Sequence, residues 1–228
     1  MSIATELQAV KDELPDGVEL IAVSKYHPEE DVLEAYQAGQ RVFGENIAQE
    51  LRRKHENLPQ DIQWHFIGHL QKNKIKYIAP YVSLIHSVDS FELLAEIDKH
   101  ALKAGRTIPC LLQMHVAKEE TKFGFSFDEC RQMLESGKWQ QLDNIRITGL
   151  MCMASNVSDE KQIHGEFESV REFFDEIKHE YFPDDAAFCH RSWGMSGDYR
   201  IAVEEGSNMV RVGTRIFGAR PYPPTSQP

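Results

Sequence analysis

Three short stretches of this 228-residue chain carry side chains whose type and spacing could do chemistry. Lys25 closes the run Ala22-Val23-Ser24-Lys25. An amine at the end of an apolar run and turned away from water disfavours its charged form and becomes a nucleophile for carbonyls. A solvated lysine at a strand end is the plainer reading of the same residues. Near the other end of the chain, Ser196-Gly197-Asp198 stands just before an expected short helix, and Val210-Arg211-Val212-Gly213-Thr214 ends the last expected strand. Small residues let backbone N–H groups approach a phosphate, and a helix N-terminus favours the anion. Plain turns are the alternative. Arg211 stands between two valines, so strand alternation turns it to the opposite face, into the interior. A buried arginine needs an acceptor, either a carboxylate or a ring nitrogen of a ligand.

Other polar residues are less committed. Glu45 and Asn46 follow Phe43-Gly44 and either line a site or cap the next helix. His65 and His69 are four apart, but across a strand and a turn, so a metal pair is disfavoured. Core packing suits His65 and loop hydrogen bonding suits His69. Nothing in the sequence pairs Tyr26 or His27 with a base, and Met151 and Met153 read as packing residues.

The elements that must position these residues alternate between β-rich runs and helical periods. Strands are expected at 19–24, 42–43, 63–67, 83–88, 110–116, 145–151, 187–190 and 208–212. Helices are expected at 28–38, 47–57, 72–78, 91–104, 127–136, 159–179 and 199–205, with an extra one at 3–14. Eight strands, each but the last followed by a helix, predict one α/β domain, a (β/α)8 TIM-type barrel spanning 1–228 with a proline-rich tail at 221–228. A doubly wound sheet is the alternative, but no G-x-G-x-x-G follows the first strand. In such a barrel the active residues gather at the C-terminal strand ends, where all three stretches fall.

Composition narrows the function classes. With 41% hydrophobic and 27% charged residues, the chain is neither disordered nor low-complexity. Its net charge of −11 repels nucleic-acid backbones and anionic membranes, so no nucleic-acid partner is expected. No apolar run is long enough for a spanning helix, and the charged N-terminus lacks a secretory core. Cys110, Cys130, Cys152 and Cys189 are widely spaced without C-x-x-C, which suits reduced thiols and a cytoplasmic location.

Taken together, Ala22-Val23-Ser24-Lys25, Phe43-Gly44-Glu45-Asn46, Trp64-His65-Phe66-Ile67-Gly68 with Leu70-Gln71 and Asn73-Lys74, His86-Ser87-Val88-Asp89, Gly149-Leu150-Met151, Gly194-Met195-Ser196 and Val210-Arg211-Val212-Gly213-Thr214 with Ile216-Phe217-Gly218 form one ordered series. The series resembles the pyridoxal 5′-phosphate homeostasis protein family over residues 20–220. The resemblance implies a fold-type III barrel similar to the N-terminal domain of alanine racemase. It implies pyridoxal phosphate held as a Schiff base on Lys25, with phosphate segments at Ser196 and at Gly213 and Thr214. It further implies that Arg211 faces the pyridine nitrogen and that Asn46 contacts the cofactor's side. A permanently charged arginine there keeps the nitrogen unprotonated and weakens the electron sink.

A racemase needs two acid/base groups on opposite faces of the cofactor, and only Lys25 is identifiable as one. The β-rich second domain of alanine racemase is not expected after the proline-rich tail. The leading expectation is therefore a monomeric carrier that holds pyridoxal phosphate without turnover and hands it to dependent apoenzymes. A low-activity amino-acid racemase is the runner-up, and a cofactor-free aldolase using Lys25 is third. Four residues depart from the family pattern: His115 where asparagine is usual, Phe123 where a small residue is, Trp193 where methionine is, and Gly197 where an acid is. They are expected to alter the pocket wall near strands five and seven.

Overall fold

The computed structural model describes residues 2–117 and 123–219. Eight parallel strands close into a barrel in chain order: β1 (Glu19–Val23), β2 (Val42–Glu45), β3 (Gln63–Phe66), β4 (Leu84–Val88), β5 (Ile108–His115), β6 (Ile145–Met153), β7 (His190–Met195) and β8 (Met209–Val212). Pairing of Ala22 with both Phe43 and Val212 completes the ring. Around it lie α1 (Ile3–Glu13), α2 (Glu29–Gln37), α3 (Ala48–Asn57), α4 (Phe91–Ala104), α5 (Phe127–Glu135), α6 (Glu160–Tyr181), α7 (Tyr199–Glu204) and α8 (Thr214–Phe217). The predicted (β/α)8 barrel with its extra N-terminal helix is the fold observed. The expected tail at 221–228 lies outside the described residues. Among the described residues, no helix is long and apolar enough to cross a membrane.

Local chemistry sets the boundaries. Ser90 caps α4 by accepting from the Leu93 amide, and Gly105 closes it in the left-handed region. Ser126 and Glu129 form a reciprocal capping box at the start of α5. The outward strand residues Phe43, Trp64 and Phe66 are buried under the helices in one large core. The inward residues Ile21, Val42, Leu84, Leu111, Met151 and Met209 form a separate apolar cluster inside the barrel.

Three expectations are corrected. The seventh strand is His190–Met195, not 187–190. Phe188 made 187–190 read as a strand, but it packs in the outer core, with its ring 4.1 Å from Phe182 and 4.9 Å from Phe174. The true strand carries buried Ser192 inward, so it lacks an apolar alternation. The helix expected at 72–78 is a 3-10 segment, Lys72–Tyr77. The eighth strand is followed by a helix after all, the four-residue α8. All four cysteines are free thiols.

Candidate functional site

The six residues singled out from sequence come from the ends of β7, β8, β1 and β2, which are consecutive neighbours in the ring. Ile21 lies in the inner cluster, alternation carries Val23 up the same column, and Lys25 follows in the turn just beyond the end of β1. Val23 pairs with Gly44, so Asn46 stands beside Lys25 on the next strand end. Asn46 does not cap α3, whose N-cap is Ile47. Its Oδ1 is buried without a hydrogen-bond partner. A Cβ on Gly68 would lie 2.4 Å from the Asn46 carbonyl oxygen, so only glycine lets the third strand's loop press on Asn46.

Ser196 and Gly213 join the loops that follow β7 and β8. The Gly213 amide donates to Ser196 Oγ at 3.1 Å. Asp198 accepts from the Met195 amide and folds the Ser196-Gly197 turn back on the strand. Burial raises the Asp198 carboxyl. A Cβ at Gly213 would stand 3.0 Å from the Val23 carbonyl oxygen, which brings this loop against the base of the Lys25 turn. Gly213 thus supplies close approach, while its own N–H is engaged. The exposed Thr214 opens α8, whose Ile216 and Phe217 amides both donate to the Gly213 carbonyl at 2.9 Å, so that only the Thr214 and Arg215 amides lack an acceptor in the helix. Glu13 of α1 ties the arrangement from outside, accepting from Tyr199 of α7, from Arg200 and from Arg215 of α8.

Arg211 lies inside the barrel, 3% exposed, as alternation predicted. Among the described residues its hydrogen-bond acceptors include no carboxylate. Nη1 donates to the Ser192 carbonyl at 2.7 Å and to Ser192 Oγ at 2.6 Å, and Nη2 to the Cys152 carbonyl at 2.8 Å. Three of its five N–H groups are thereby held by the barrel wall. Ser192 Oγ also meets His86 Nδ1 at 2.9 Å, and His86 Nε2 meets His65 Nδ1 at 3.0 Å. Burial holds both imidazoles neutral, His65 down to about 3 and His86 well below its ordinary value, with neighbouring cationic groups adding to the effect. One proton order satisfies the chain: Arg211 donates to Ser192, Ser192 to His86, and His86 to His65. This polar layer lies between the apolar barrel floor and the mouth.

Sequence reasoning missed Ser192 and His86 as members of one chain, since no local spacing links β4 to β7. It also left Glu45 undecided between mouth and cap, and Glu45 does neither. Glu45 is fully buried behind the barrel wall, accepting from Lys54 Nζ and from Ser24 Oγ, each at 2.7 Å. Burial pushes its carboxyl up, against the pull of the Lys54 ammonium. His27 does have an acidic partner, Asp31, at 3.1 Å. His65 is a buried polar residue rather than simple core packing, and His69 sits in the loop 3.3 Å from Asp89. Among the described residues, no cluster of His, Cys, Asp or Glu could hold a metal ion.

The four departures separate into two groups. His115 and Phe123 line a cavity of about 240 Å³ together with the partly exposed Met153 and Met195. The Phe123 ring packs on His69 at 4.3 Å and walls that side of the mouth. Trp193 is no part of the wall, being wholly buried in the outer core, and Gly197 is exposed with open space around it.

Comparison with known proteins places the chain. Residues 2–221 match the family model for the alanine racemase N-terminal domain. The pyridoxal phosphate homeostasis protein of Aquifex aeolicus is 39% identical over 89% of this chain and 87% of its own length. That of Schizosaccharomyces pombe is 37% identical over 90% and 85%. The structure of PipY from Synechococcus elongatus with pyridoxal phosphate bound superposes with a TM-score of 0.86 at 37% identity, covering 95% of this chain and all of that one. Alanine racemase from Bartonella henselae, at 15% identity and a TM-score of 0.70, shares the fold over 96% of this chain and 60% of its own. Strand order, the closed barrel and these relationships agree: the chain belongs to the pyridoxal phosphate homeostasis protein family, within the alanine racemase N-terminal domain family.

Proposed function

We propose that this protein holds pyridoxal phosphate on Lys25 and releases it to dependent apoenzymes, as a monomeric, non-catalytic carrier in the cytoplasm. The observation that carries the reading is the convergence of an amine, a loop-and-helix anion cradle and a buried guanidinium on four adjoining strand ends. The residues fit the cofactor. The buried Asn46 Oδ1 lacks a partner and suits a polar group on the ring. The Ser196 and Gly213 loops are stitched together, with Gly213 packed closely on Val23, and suit a phosphate beside Thr214.

When bound, pyridoxal phosphate supplies an aldehyde that condenses reversibly with an amine and releases water. Lys25 provides that amine. Ser196 and Thr214 would hold the phosphate end, with Gly213 joining their loops and allowing the close approach. Arg211, its donors anchored on Ser192 and Cys152, would offer the ring nitrogen a fixed positive charge. A guanidinium does not give up its proton in a protein, so the nitrogen opposite it stays unprotonated. This suppresses carbanion chemistry and favours holding over turnover.

The test is the visible spectrum of the purified protein after adding pyridoxal phosphate, followed by borohydride reduction and peptide mapping. A yellow band fixed on the Lys25 peptide, absent in Lys25→Ala, is the expected result. A separate, unreduced sample should show no solvent deuterium exchange at the α-carbon across an amino-acid panel. It should also activate an added apoenzyme as the band decays. Steady exchange that depends on Lys25 would overturn the carrier reading in favour of a racemase.

A further inference from the structure

The two peptide groups that flank Lys25 are both held by one buried ion cluster on the far side of the barrel wall. The chain turns sharply here, the His27 amide donating to the Ser24 carbonyl at 3.0 Å. Lys25 and Tyr26 are the central residues of that turn. Tyr26 has φ of +67°, the one non-glycine residue in the left-handed region among those described. A turn of this kind ordinarily puts glycine or asparagine at that position. A bulky residue stays there only when its surroundings hold it.

The surroundings are Glu50 and Lys54 on α3. Glu50 Oε1 accepts from the Tyr26 amide at 2.8 Å, in the peptide that follows Lys25. Lys54 Nζ donates to the Ser24 carbonyl at 2.8 Å, in the peptide that precedes Lys25. The two side chains bind each other at 2.9 Å. Lys54 also binds Glu45 of β2, which accepts from Ser24 Oγ. Lys54 is fully buried and Glu50 nearly so, 12% exposed, so water competes little for these bonds. Ser24 and Glu45 both bond into this cluster against α3, so it grips the turn backbone from behind the barrel wall.

We propose that Glu50 and Lys54 are positioning residues for Lys25: they lock the turn so that its amine is delivered to an aldehyde seated in the mouth. The inference rests on the reading of Lys25 as the cofactor amine. Neither residue touches the cofactor; both act through the turn backbone. The energy that orders the turn is therefore present before any ligand arrives, and the amine does not have to be recruited from a flexible loop.

The test compares two probes that differ at one carbon. Pyridoxal phosphate carries the aldehyde. Pyridoxine 5′-phosphate carries an alcohol there and engages the cradle without bonding to Lys25. Wild-type protein, Glu50→Gln and Glu50→Ala are titrated with each, with the melting curve of the free protein recorded alongside. Glutamine keeps an oxygen for the Tyr26 amide; alanine keeps none. The expected result is a loss of tenfold or more in pyridoxal phosphate affinity for Glu50→Ala, a smaller loss for Glu50→Gln, and pyridoxine phosphate binding unchanged within twofold. Band formation slows in the same order. Adding Tyr26→Gly to Glu50→Ala recovers a large part of the loss, because glycine takes the left-handed conformation without steric cost. Equal losses for both probes would make Glu50 merely structural and overturn the proposal, as would wild-type affinity in Glu50→Ala. If Glu50→Ala does not fold, Glu50→Gln decides by the same split between probes. Failure of wild-type protein to fix the borohydride label on Lys25 would sink the carrier reading instead, and is scored separately from the variants.

Discussion

His86 and Ser192 meet across the inside of the barrel, Nδ1 to Oγ at 2.9 Å, from strands that are not neighbours in the ring. The same hydroxyl receives Arg211 Nη1 at 2.6 Å. Ser192 is therefore the joint between a fixed cation at the mouth and a neutral imidazole chain beneath it. Ser192→Ala leaves Arg211 and His86 each short of one buried partner. Losing a buried partner costs about 1–3 kcal/mol, and urea unfolding should show a loss in that range. A double-mutant cycle with His86→Leu should give a coupling energy of about 1 kcal/mol or more, because the two residues share one network. Additive losses would mean that the chain is a coincidence of packing.

The buried imidazoles make stability depend on acid. His65 and His86 are neutral when folded, and His190, also pushed down by burial, is close enough to lower His65 further. In the unfolded chain the same groups take up protons near pH 6.5. Below that value the unfolded state binds more protons than the folded one, so stability falls as pH falls, for His65 until about 3. Each such histidine contributes a slope approaching about 1.4 kcal/mol per pH unit within the window. Glu45 works against this trend, because its raised carboxyl retains a proton more readily when folded. Urea midpoints measured between pH 7 and pH 5 should therefore drop with acid in the wild type and drop less in His86→Gln. Identical pH profiles for the two proteins would show that His86 is not a buried neutral group.

What could be read from the chain depended on whether neighbours in sequence were also neighbours in chemistry. Arg211 was legible because Val210 and Val212 flank it and alternation turns it inward. Lys25 was singled out by the apolar run before it, and the Ser196 and Gly213 loops by small residues at two expected strand ends. The seventh strand was not, since it faces the polar layer with Ser192 and therefore lacks an apolar stripe. Glu50 and Lys54 were not, since an acid and a lysine four apart on a helix read as an exposed surface pair. Only docking of α3 against the Lys25 turn buries them, and that contact has no local signature. Asp31 beside His27 escaped notice although it too lies four residues on, because the partner is on a helix and the histidine is in the preceding turn.

Glu13 links the start of the chain to the anion cradle at its other end. Its carboxylate gathers Tyr199, Arg200 and Arg215, and these hydrogen bonds, led by Arg215, hold it down to about 2. The linkage is present above the ordinary carboxylate range and is lost as pH falls through about 2. Because α7 and α8 carry Ser196 and Thr214 at their entrances, Glu13→Gln should loosen the cradle without touching it. The expected effect is a roughly two- to fivefold weaker affinity for pyridoxine 5′-phosphate, in keeping with an exposed ionic network. The difference from wild type should shrink in high salt. An effect that persists undiminished in molar salt would rule out an electrostatic latch.

Gly68 and Gly197 offer a matched pair of alanine substitutions with opposite outcomes. A Cβ at 68 would meet the Asn46 backbone at 2.4, 2.7 and 2.9 Å, all rigid atoms of the neighbouring strand end. Relief requires the β2 and β3 loops to part, and overpacking of this kind costs about 1–3 kcal/mol. Because the displaced residue is Asn46, Gly68→Ala should also weaken pyridoxal phosphate binding and shift the absorption band. At Gly197 nothing lies within 4 Å of the added carbon and φ is not in the left-handed region. Gly197→Ala should leave both melting temperature and affinity unchanged, although this glycine lies in the cradle turn itself. Thermal melts and spectral titrations of the two variants check the pair. Loss of affinity in Gly197→Ala with Gly68→Ala intact would move the sensitive wall of the site from the Asn46 side to the Ser196 turn.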